Sequence, residues 1–262
     1  MRLYYDYFYT IGATHKVCED YATQGHTAIP FVVLSDGCSS SHNTKIGAQI
    51  LTTTTKYMIE NSTTWPLDYI NFGQQLIKSA QKVAKKVRLN RGGLDATVML
   101  AFVQEKNIMV YVYGDGCLLF KDYNNNIGTI EIIFTHNAPF YLTYWQDEER
   151  LLDYAIYEPN PLLLIDSVNG QSEPKPFNTQ LVFSFPLEKF KTVAIASDGA
   201  SACFDTNQLL KIPLHEVATH LLAFEDLTGE FLKRHAKKAL AQYAQQDIFP
   251  IDDLSIGVLV AN

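Results

Sequence analysis

Three aspartates lie beside short apolar runs that lack helical spacing. The runs 31–34 and 193–196 each continue into Ser-Asp-Gly, which places Asp36 and Asp198 at the ends of two predicted buried strands. Asp252 precedes a third run of this kind near the C-terminus. If these strands are neighbours in one core, their acidic ends meet, and we therefore expect a cluster of carboxylates.

Clustered carboxylates predict a bound cation. Like charges at short range raise one another's pKa unless a cation lies between them. Asp side chains, backbone carbonyls and water favour Mg²⁺ or Mn²⁺ over zinc. Gly37 fits such a site because a residue without Cβ lets the backbone approach an ion, and we expect a positive φ there. Ordinary turn chemistry at Asp-Gly is the alternative interpretation of each aspartate.

Composition restricts the class of protein. The 262 residues are 47% apolar, which is enough for a sizeable core, and we expect one domain over residues 1–262. A net charge of -7 without a Lys/Arg-rich block argues against nucleic acid or an anionic membrane as the main partner. Four scattered cysteines and no apolar window of about 18 residues predict a cytoplasmic protein.

Hydrophobic periodicity predicts an α+β fold. Two long helices are expected after the first acidic strand, the second starting near Pro66, and antiparallel strands follow from residue 95. The span 136–189 is predicted as irregular strands and loops. A short helix at 207–210, further helices around 214–222 and 227–243, and a last strand complete a chain of two sheets between helical layers.

Six short motifs, in this order, resemble those of the metal-dependent protein phosphatases of type 2C, in particular the compact bacterial branch. They cover roughly residues 10 to 260 and are Glu19-Asp20, Leu34-Ser35-Asp36-Gly37, Gly93-Leu94-Asp95-Ala96-Thr97-Val98, Tyr113-Gly114-Asp115-Gly116, Ser197-Asp198-Gly199 and Asp252-Asp253-Leu254-Ser255. Each motif is weak by itself, and their order and spacing make the resemblance specific.

The resemblance implies a four-layer α-β-β-α sandwich with two mainly antiparallel sheets. It also implies a dinuclear Mn²⁺ or Mg²⁺ centre that activates a water molecule to hydrolyse phosphoserine and phosphothreonine in proteins. The implied metal-binding residues have different roles: Asp36 bridges both ions, the Gly37 carbonyl binds one, Asp198 and Asp252 hold the other, Glu19 and Asp20 act through waters, and Asp115 touches a third, weaker ion. Two ions about 3.5–4 Å apart lower the pKa of a shared water, so no protein nucleophile is needed.

This chain departs from the family pattern at three positions. His15 stands where many members carry a phosphate-binding Arg, and His lacks the bidentate fork of Arg. We nevertheless include His15 among the catalytic candidates, with Asp36, Asp198 and Asp252. Ala202 stands where family members often carry an acidic residue. Cys38 stands where some relatives have a His that acts as general acid.

These departures leave three alternatives open. The fold could serve as a pseudophosphatase, a binding or regulatory module without turnover. It could hydrolyse small phosphoesters, or Cys38 could act as a nucleophile. The retained carboxylates favour the metal-dependent phosphatase, because a binding module has no physical reason to keep clustered acids. We expect a monomer that acts on a phosphorylated protein and opposes a Ser/Thr kinase.

Overall fold

The computed structural model describes residues 2–25, 29–62, 68–167 and 173–262. Two antiparallel sheets lie face to face, and helices cover the outer face of each. The predicted α+β class with two mainly antiparallel sheets between helical layers is confirmed.

The first sheet has seven antiparallel strands. In spatial order they are β1 (Leu3–Thr10), β15 (Leu254–Ala261), β11 (Phe190–Ala196), β6 (Gly116–Asp122), β7 (Ile127–Phe134), β8 (Leu162–Ser167) and β9 (Glu173–Pro176). Its central strands are buried on both faces, which is why their sequences are continuous apolar runs without alternation.

The second sheet has five antiparallel strands, and a small third sheet lies beside the main ones. The five are β10 (Leu181–Pro186), β5 (Asn107–Tyr113), β4 (Val98–Gln104), β3 (Phe31–Ser35) and β2 (Tyr21–Gly25). The small sheet contains β13 (Leu210–Lys211), β12 (Cys203–Asp205) and β14 (Ile248–Pro250).

Helices complete the outer layers. The first pair, α1 (Thr44–Glu60) and α2 (Tyr69–Lys86), packs on the five-stranded sheet, whereas α4 (Leu214–Leu221) and α5 (Phe231–Ala244) pack on the seven-stranded sheet. A further helix, α3 (Glu148–Tyr157), belongs to the segment between β7 and β8. No helix among the described residues is both long enough and apolar enough to span a membrane.

Strand β3 shows how the layers are built. Phe31 and Val33 pack towards α1 and α2, whereas Val32 and Leu34 pack between the two sheets. This two-residue alternation is the geometry of a strand. The strand is anchored on both faces, and its end, where the first acidic motif begins, is held firmly.

The two long helices after β3 are confirmed, with one part outside the described residues. Pro66, the predicted helix start, lies in the range 63–67, which the structure does not describe. Helix α2 begins at Tyr69, and the Asp68 carboxylate caps it by accepting the backbone N–H of Asn71 at 3.0 Å.

Two local predictions are wrong. Residues 207–210 do not form a helix, because Asp205 accepts the N–H groups of Asn207 and Gln208 and bends the chain into the turn between β12 and β13. The segment 136–189, which was predicted as irregular strands and loops, contains the ten-residue helix α3. Tyr154 is the buried residue of α3, and the other apolar side chains of the helix, such as Leu152 and Ile156, are exposed.

Candidate functional site

The seven-stranded sheet brings three aspartates to one end. Ala196, the last residue of β11, pairs with Ile256 of β15, and β11 also pairs with β6 at this end. Asp198 follows β11, Asp252 precedes β15, and Asp115 precedes β6. Antiparallel pairing therefore places all three at the same edge of the sheet.

The facing end of the five-stranded sheet contributes two more. Tyr21 of β2 pairs with Ser35 of β3, so Asp20 and Asp36, the residues next to this pair, lie side by side. The edges of the two sheets meet here, and the predicted convergence of remote acidic motifs is observed.

Burial and mutual repulsion perturb these carboxyls. Burial, with the neighbouring charges of Asp20, Asp198 and Asp115, raises the pKa of Asp36 well above its usual range. Burial and the charge of Asp252 raise the pKa of Asp198 to about 6. Burial and the charge of Asp198 also raise the pKa of Asp115. We refer to Asp20, Asp36, Asp115, Asp198 and Asp252 as the acidic cluster.

Asp20 is the most deeply buried member of the cluster. Its residue is 2% exposed, and neither carboxylate oxygen has a hydrogen-bond partner. Burial raises the pKa of Asp20 to about 7, although the nearby hydroxyls of Ser197 and Ser255 oppose this rise. Those hydroxyls are not aligned to donate to it. A buried acid without a donor is costly, and a cation between the oxygens would remove that cost.

Segment 95–97 holds the backbone at Asp36 and Gly37. The Thr97 N–H donates to the Asp36 carbonyl at 2.8 Å, and the Cys38 N–H donates to the Asp95 carbonyl at 2.9 Å. These bonds flank Gly37, so its own carbonyl takes part in neither of them and is available to an ion.

The prediction of a positive φ at Gly37 is wrong. Positive φ values at described glycines occur at Gly114, Gly116 and Gly229. Glycine is required at position 37 by close approach, because a Cβ there would lie 2.9 Å from Thr44 Cβ and 3.0 Å from the Glu19 carbonyl oxygen. The absence of a side chain thus brings the Glu19 and Asp36 segments together.

Glu19 lies outside the acidic cluster. Its carboxylate accepts the Thr44 hydroxyl at 2.8 Å, and its backbone N–H donates to Asp253 Oδ2 at 2.6 Å. The structure therefore places Glu19 at the rim of the site, and a role through bound water stays a prediction.

His15 lies between two carboxylates. Its Nε2 is 3.4 Å from Asp252 Oδ1, and its Nδ1 is 3.2 Å from Asp253 Oδ1, the latter without good hydrogen-bond alignment. Burial lowers the pKa of His15, but the contact with Asp253 and the charges of Asp252, Asp253 and Glu19 outweigh it, so the pKa is raised. Its predicted contact with phosphate stays a prediction.

Asp253 is a residue whose role the sequence did not predict. It is 2% exposed, and it accepts the N–H groups of Gly12 at 2.8 Å and Glu19 at 2.6 Å. The charge of Asp252 acts on Asp198 and Asp115, so Asp252 faces the cluster, whereas the Asp253 carboxylate is turned towards the backbone of Gly12 and Glu19. The Asp-Asp doublet is the signal that could have revealed this division of roles.

A cavity of about 270 Å³ opens beside the cluster. Asp115 and Asp198 line it together with Ala202, Glu131 and Lys211. Lys211 Nζ lies 3.8 Å from Glu131 Oε1, so the half-exposed ammonium group of Lys211 lies on the wall of the acidic cavity. A larger cavity of about 760 Å³ is lined by aromatic and polar residues and touches the site only at Gly114, and the chemistry is therefore assigned to the smaller one.

The donor set fits hard divalent cations. It consists of carboxylate and carbonyl oxygens, which Mg²⁺ and Mn²⁺ prefer, and it includes the two partnerless oxygens of Asp20. No three His, Cys, Asp or Glu side chains within the described ranges are already arranged as a finished metal site. The carboxylates are thus close enough to raise one another's pKa, but their oxygens do not all surround one position that an ion could take.

Comparisons with known proteins agree on one family. The family model described as Protein phosphatase 2C matches residues 12–244. No curated protein matches the sequence.

Solved structures share the fold at low sequence identity. Stp1, a serine/threonine phosphatase from Staphylococcus aureus, is 15% identical with a TM-score of 0.59, covering 100% of this chain and 96% of that chain. The Mycobacterium tuberculosis serine/threonine phosphatase PstP/Ppp is 12% identical with a TM-score of 0.55, covering 99% of both. A bacterial serine phosphatase is 16% identical with a TM-score of 0.60, covering 100% and 98%. At these identities, the likeness shows the fold.

Proposed function

The chain belongs to the protein phosphatase 2C family, and from this premise we propose that it is a metal-dependent phosphatase that removes phosphate from phosphoserine and phosphothreonine in proteins. A cytoplasmic location and a cognate Ser/Thr kinase belong to the same proposal.

One observation carries the proposal: strand pairing brings aspartates from remote segments to one edge of the paired sheets, where burial and mutual repulsion raise their pKa values. We assign two Mn²⁺ or Mg²⁺ ions to Asp36, the Gly37 carbonyl, Asp198 and Asp252. Asp20 would act with them through water, as would Glu19, and Asp115 would contact a third ion. When bound, the ions supply hydroxide near neutral pH and neutralise charge on the phosphoryl oxygens.

The other residues of the site orient the substrate. The Asp252–His15–Asp253 contacts keep the imidazole in place, and its raised pKa favours the cationic form that attracts a phosphate. Lys211 adds positive charge on the wall of the acidic cavity. Neither residue reproduces the bidentate geometry of Arg, so we expect weak binding of free phosphate.

The test is Mn²⁺-dependent hydrolysis of a phosphothreonine peptide and of an aryl phosphate. Asp36→Asn and Asp198→Asn should abolish both activities, because each removes a charged ligand. Glu188→Gln is the matched control: it also neutralises one acid, but Glu188 is exposed and precedes β11, at the opposite end of the strand from Asp198.

A binding or regulatory module is the second candidate. The position of His15, held by acids, and the replacement at Ala202 favour it. Calorimetric Mn²⁺ binding without any turnover would support that module. Hydrolysis of the aryl phosphate but never of peptides would indicate a small-phosphoester hydrolase instead.

A further inference from the structure

A buried ion pair connects helix α3 to the segment that holds Gly37. Arg150 of α3 donates from Nη1 to Asp95 Oδ1 at 2.5 Å and from Nη2 to Asp95 Oδ2 at 2.6 Å. The side chains of Arg150 and Asp95 are 17% and 3% exposed. This is the bidentate geometry that makes an Arg–carboxylate pair both strong and directional.

Asp95 has further donors on both sides. Ser41, in the loop after Gly37, donates its hydroxyl to Asp95 Oδ2 at 3.0 Å, and Thr143, before α3, donates to Oδ1 at 3.0 Å. The backbone carbonyl of Asp95 accepts the Cys38 N–H. One buried residue therefore connects α3 to the loop 38–41: its carboxylate accepts from both Arg150 and Ser41, and its backbone carbonyl accepts from Cys38.

Arg150 also lies close to the site in space. It lines a cavity of about 340 Å³ together with Cys38, Ser40 and Tyr141. Tyr141 in turn lies near Asp36 and Asp115, whose charges raise its pKa after the larger effect of burial. The segment that contains α3 thus borders the metal-binding loop directly.

A second ion pair between the same two segments provides an internal contrast. Arg91 donates to both oxygens of Asp147, the N-terminal cap of α3, at 2.8 and 2.6 Å. The Arg91 side chain is 53% exposed, and among the described residues its hydrogen bonds go to Asp147 and Glu149 rather than to the loop 38–41. Both ion pairs anchor α3, but only the Arg150 pair includes Asp95, the residue whose carbonyl accepts the Cys38 N–H.

We propose that Arg150 is a positioning residue for the metal centre: through Asp95 it fixes the loop 38–41 and therefore the Gly37 carbonyl next to Asp36. The inference rests on the proposed function, since it requires that Gly37 and Asp36 bind an ion. Without Arg150 the buried Asp95 carboxylate loses its compensating charge, and the side chain and the loop bonded to it must rearrange.

The experiment measures Mn²⁺ affinity by titration calorimetry on the full chain, with thermal unfolding of the metal-free protein recorded in parallel. Arg150→Ala should weaken Mn²⁺ binding about 10-fold, the effect typical of residues that orient metal ligands. Arg150→Lys keeps the charge and removes the fork, so it should fold well and lose part of the affinity. Ser41→Ala, which leaves α3 intact, should also weaken binding.

Arg91→Ala is the matched control, because it removes an Arg–Asp pair of α3 that does not reach the loop. It should leave Mn²⁺ affinity within about twofold of the wild type, as expected for an exposed pair. Equal losses in Arg91→Ala and Arg150→Ala would show that α3 matters only as a whole, and unchanged affinity in Arg150→Lys and Ser41→Ala would also overturn the proposal. A wild type that binds no Mn²⁺ would overturn the proposed function. A wild type that binds Mn²⁺ while the Arg150 variants bind it equally well would overturn only the role of Arg150.

Discussion

Two kinds of buried aspartate occur within a short distance of each other. Asp95 is enclosed by the Arg150 fork and two hydroxyl donors, and Asp253 accepts two backbone N–H groups. Asp20 is equally buried, and no aligned donor contacts either of its carboxylate oxygens. The difference teaches that burial alone does not mark a functional acid. An acid with donors supports the structure, whereas a buried acid without donors is stabilised either by a proton or by a cation.

The largest effect expected from this contrast is on stability. Arg150→Ala should lower the free energy of unfolding by about 3–5 kcal/mol, because it leaves the Asp95 carboxylate buried and uncompensated. Arg91→Ala, at the exposed pair, should cost less than about 1 kcal/mol. Urea unfolding of both variants without metal is the measurement. Similar values for the two would mean that Asp95 does not depend on its partner.

Asp20→Asn should have the opposite sign. At pH 8 without metal, it should raise the free energy of unfolding by about 1–3 kcal/mol, since it removes a charge that lacks donors. The same substitution at Asp95 should lower it, because Asn cannot accept from both nitrogens of Arg150. Urea titrations at pH 8 compare the two variants. Destabilisation by Asp20→Asn would contradict the claim that Asp20 is unsatisfied.

The metal-free protein should also become less stable as pH rises. The folded-state pKa values of Asp20, about 7, and Asp198, about 6, lie above the ordinary value of 3.8. The folded state therefore binds more protons than the unfolded state in this window, and the contribution of these groups is lost as pH rises from about 4 to about 7.

This pH effect has a direct control. Thermal unfolding from pH 5 to pH 7.5 should show a smaller decline in the melting temperature for Asp20→Asn than for the wild type. Mn²⁺ should raise the wild-type melting temperature more at pH 7.5 than at pH 5, because protons and metal compete for the same oxygens. Parallel pH profiles for the two proteins would contradict the raised pKa of Asp20.

The smallest effect is expected at His15. Replacing it by the uncharged, similarly sized Gln should raise the KM for a phosphothreonine peptide about threefold to tenfold, because one partly exposed charge contact is lost. His15→Arg should keep or lower the KM. Steady-state kinetics with saturating Mn²⁺ measure both, and an unchanged KM in His15→Gln would remove His15 from the substrate site.

Asp36, Asp198 and Asp252 were accessible from the sequence because their signals are local, whereas Asp20 and Asp115 were assigned to the site from the resemblance to a family. Asp36 and Asp198 each follow a continuous apolar run, and such runs identify strands buried on both faces. The pairing of Arg150 with Asp95 was not accessible, since the two residues lie 55 positions apart and meet only through tertiary packing. Helix α3 was missed because the prolines of the span 136–189 indicated loops, although the stretch between Pro139 and Pro159 contains none and has room for a helix.

Local errors had local causes. Asp205 bends the chain after it by accepting two backbone N–H groups, which overrides the helical pattern of the following residues. At Gly37 the need for glycine was recognised, but its reason is the close approach of Thr44 rather than a positive φ.

Anomalous diffraction from crystals soaked in Mn²⁺ tests the central claim most directly. The account predicts two manganese peaks within the acidic cluster, both in contact with Asp36, and no peak at the satisfied carboxylate of Asp95. An acidic cluster that stays empty at millimolar Mn²⁺, or manganese bound only elsewhere on the molecule, would contradict it.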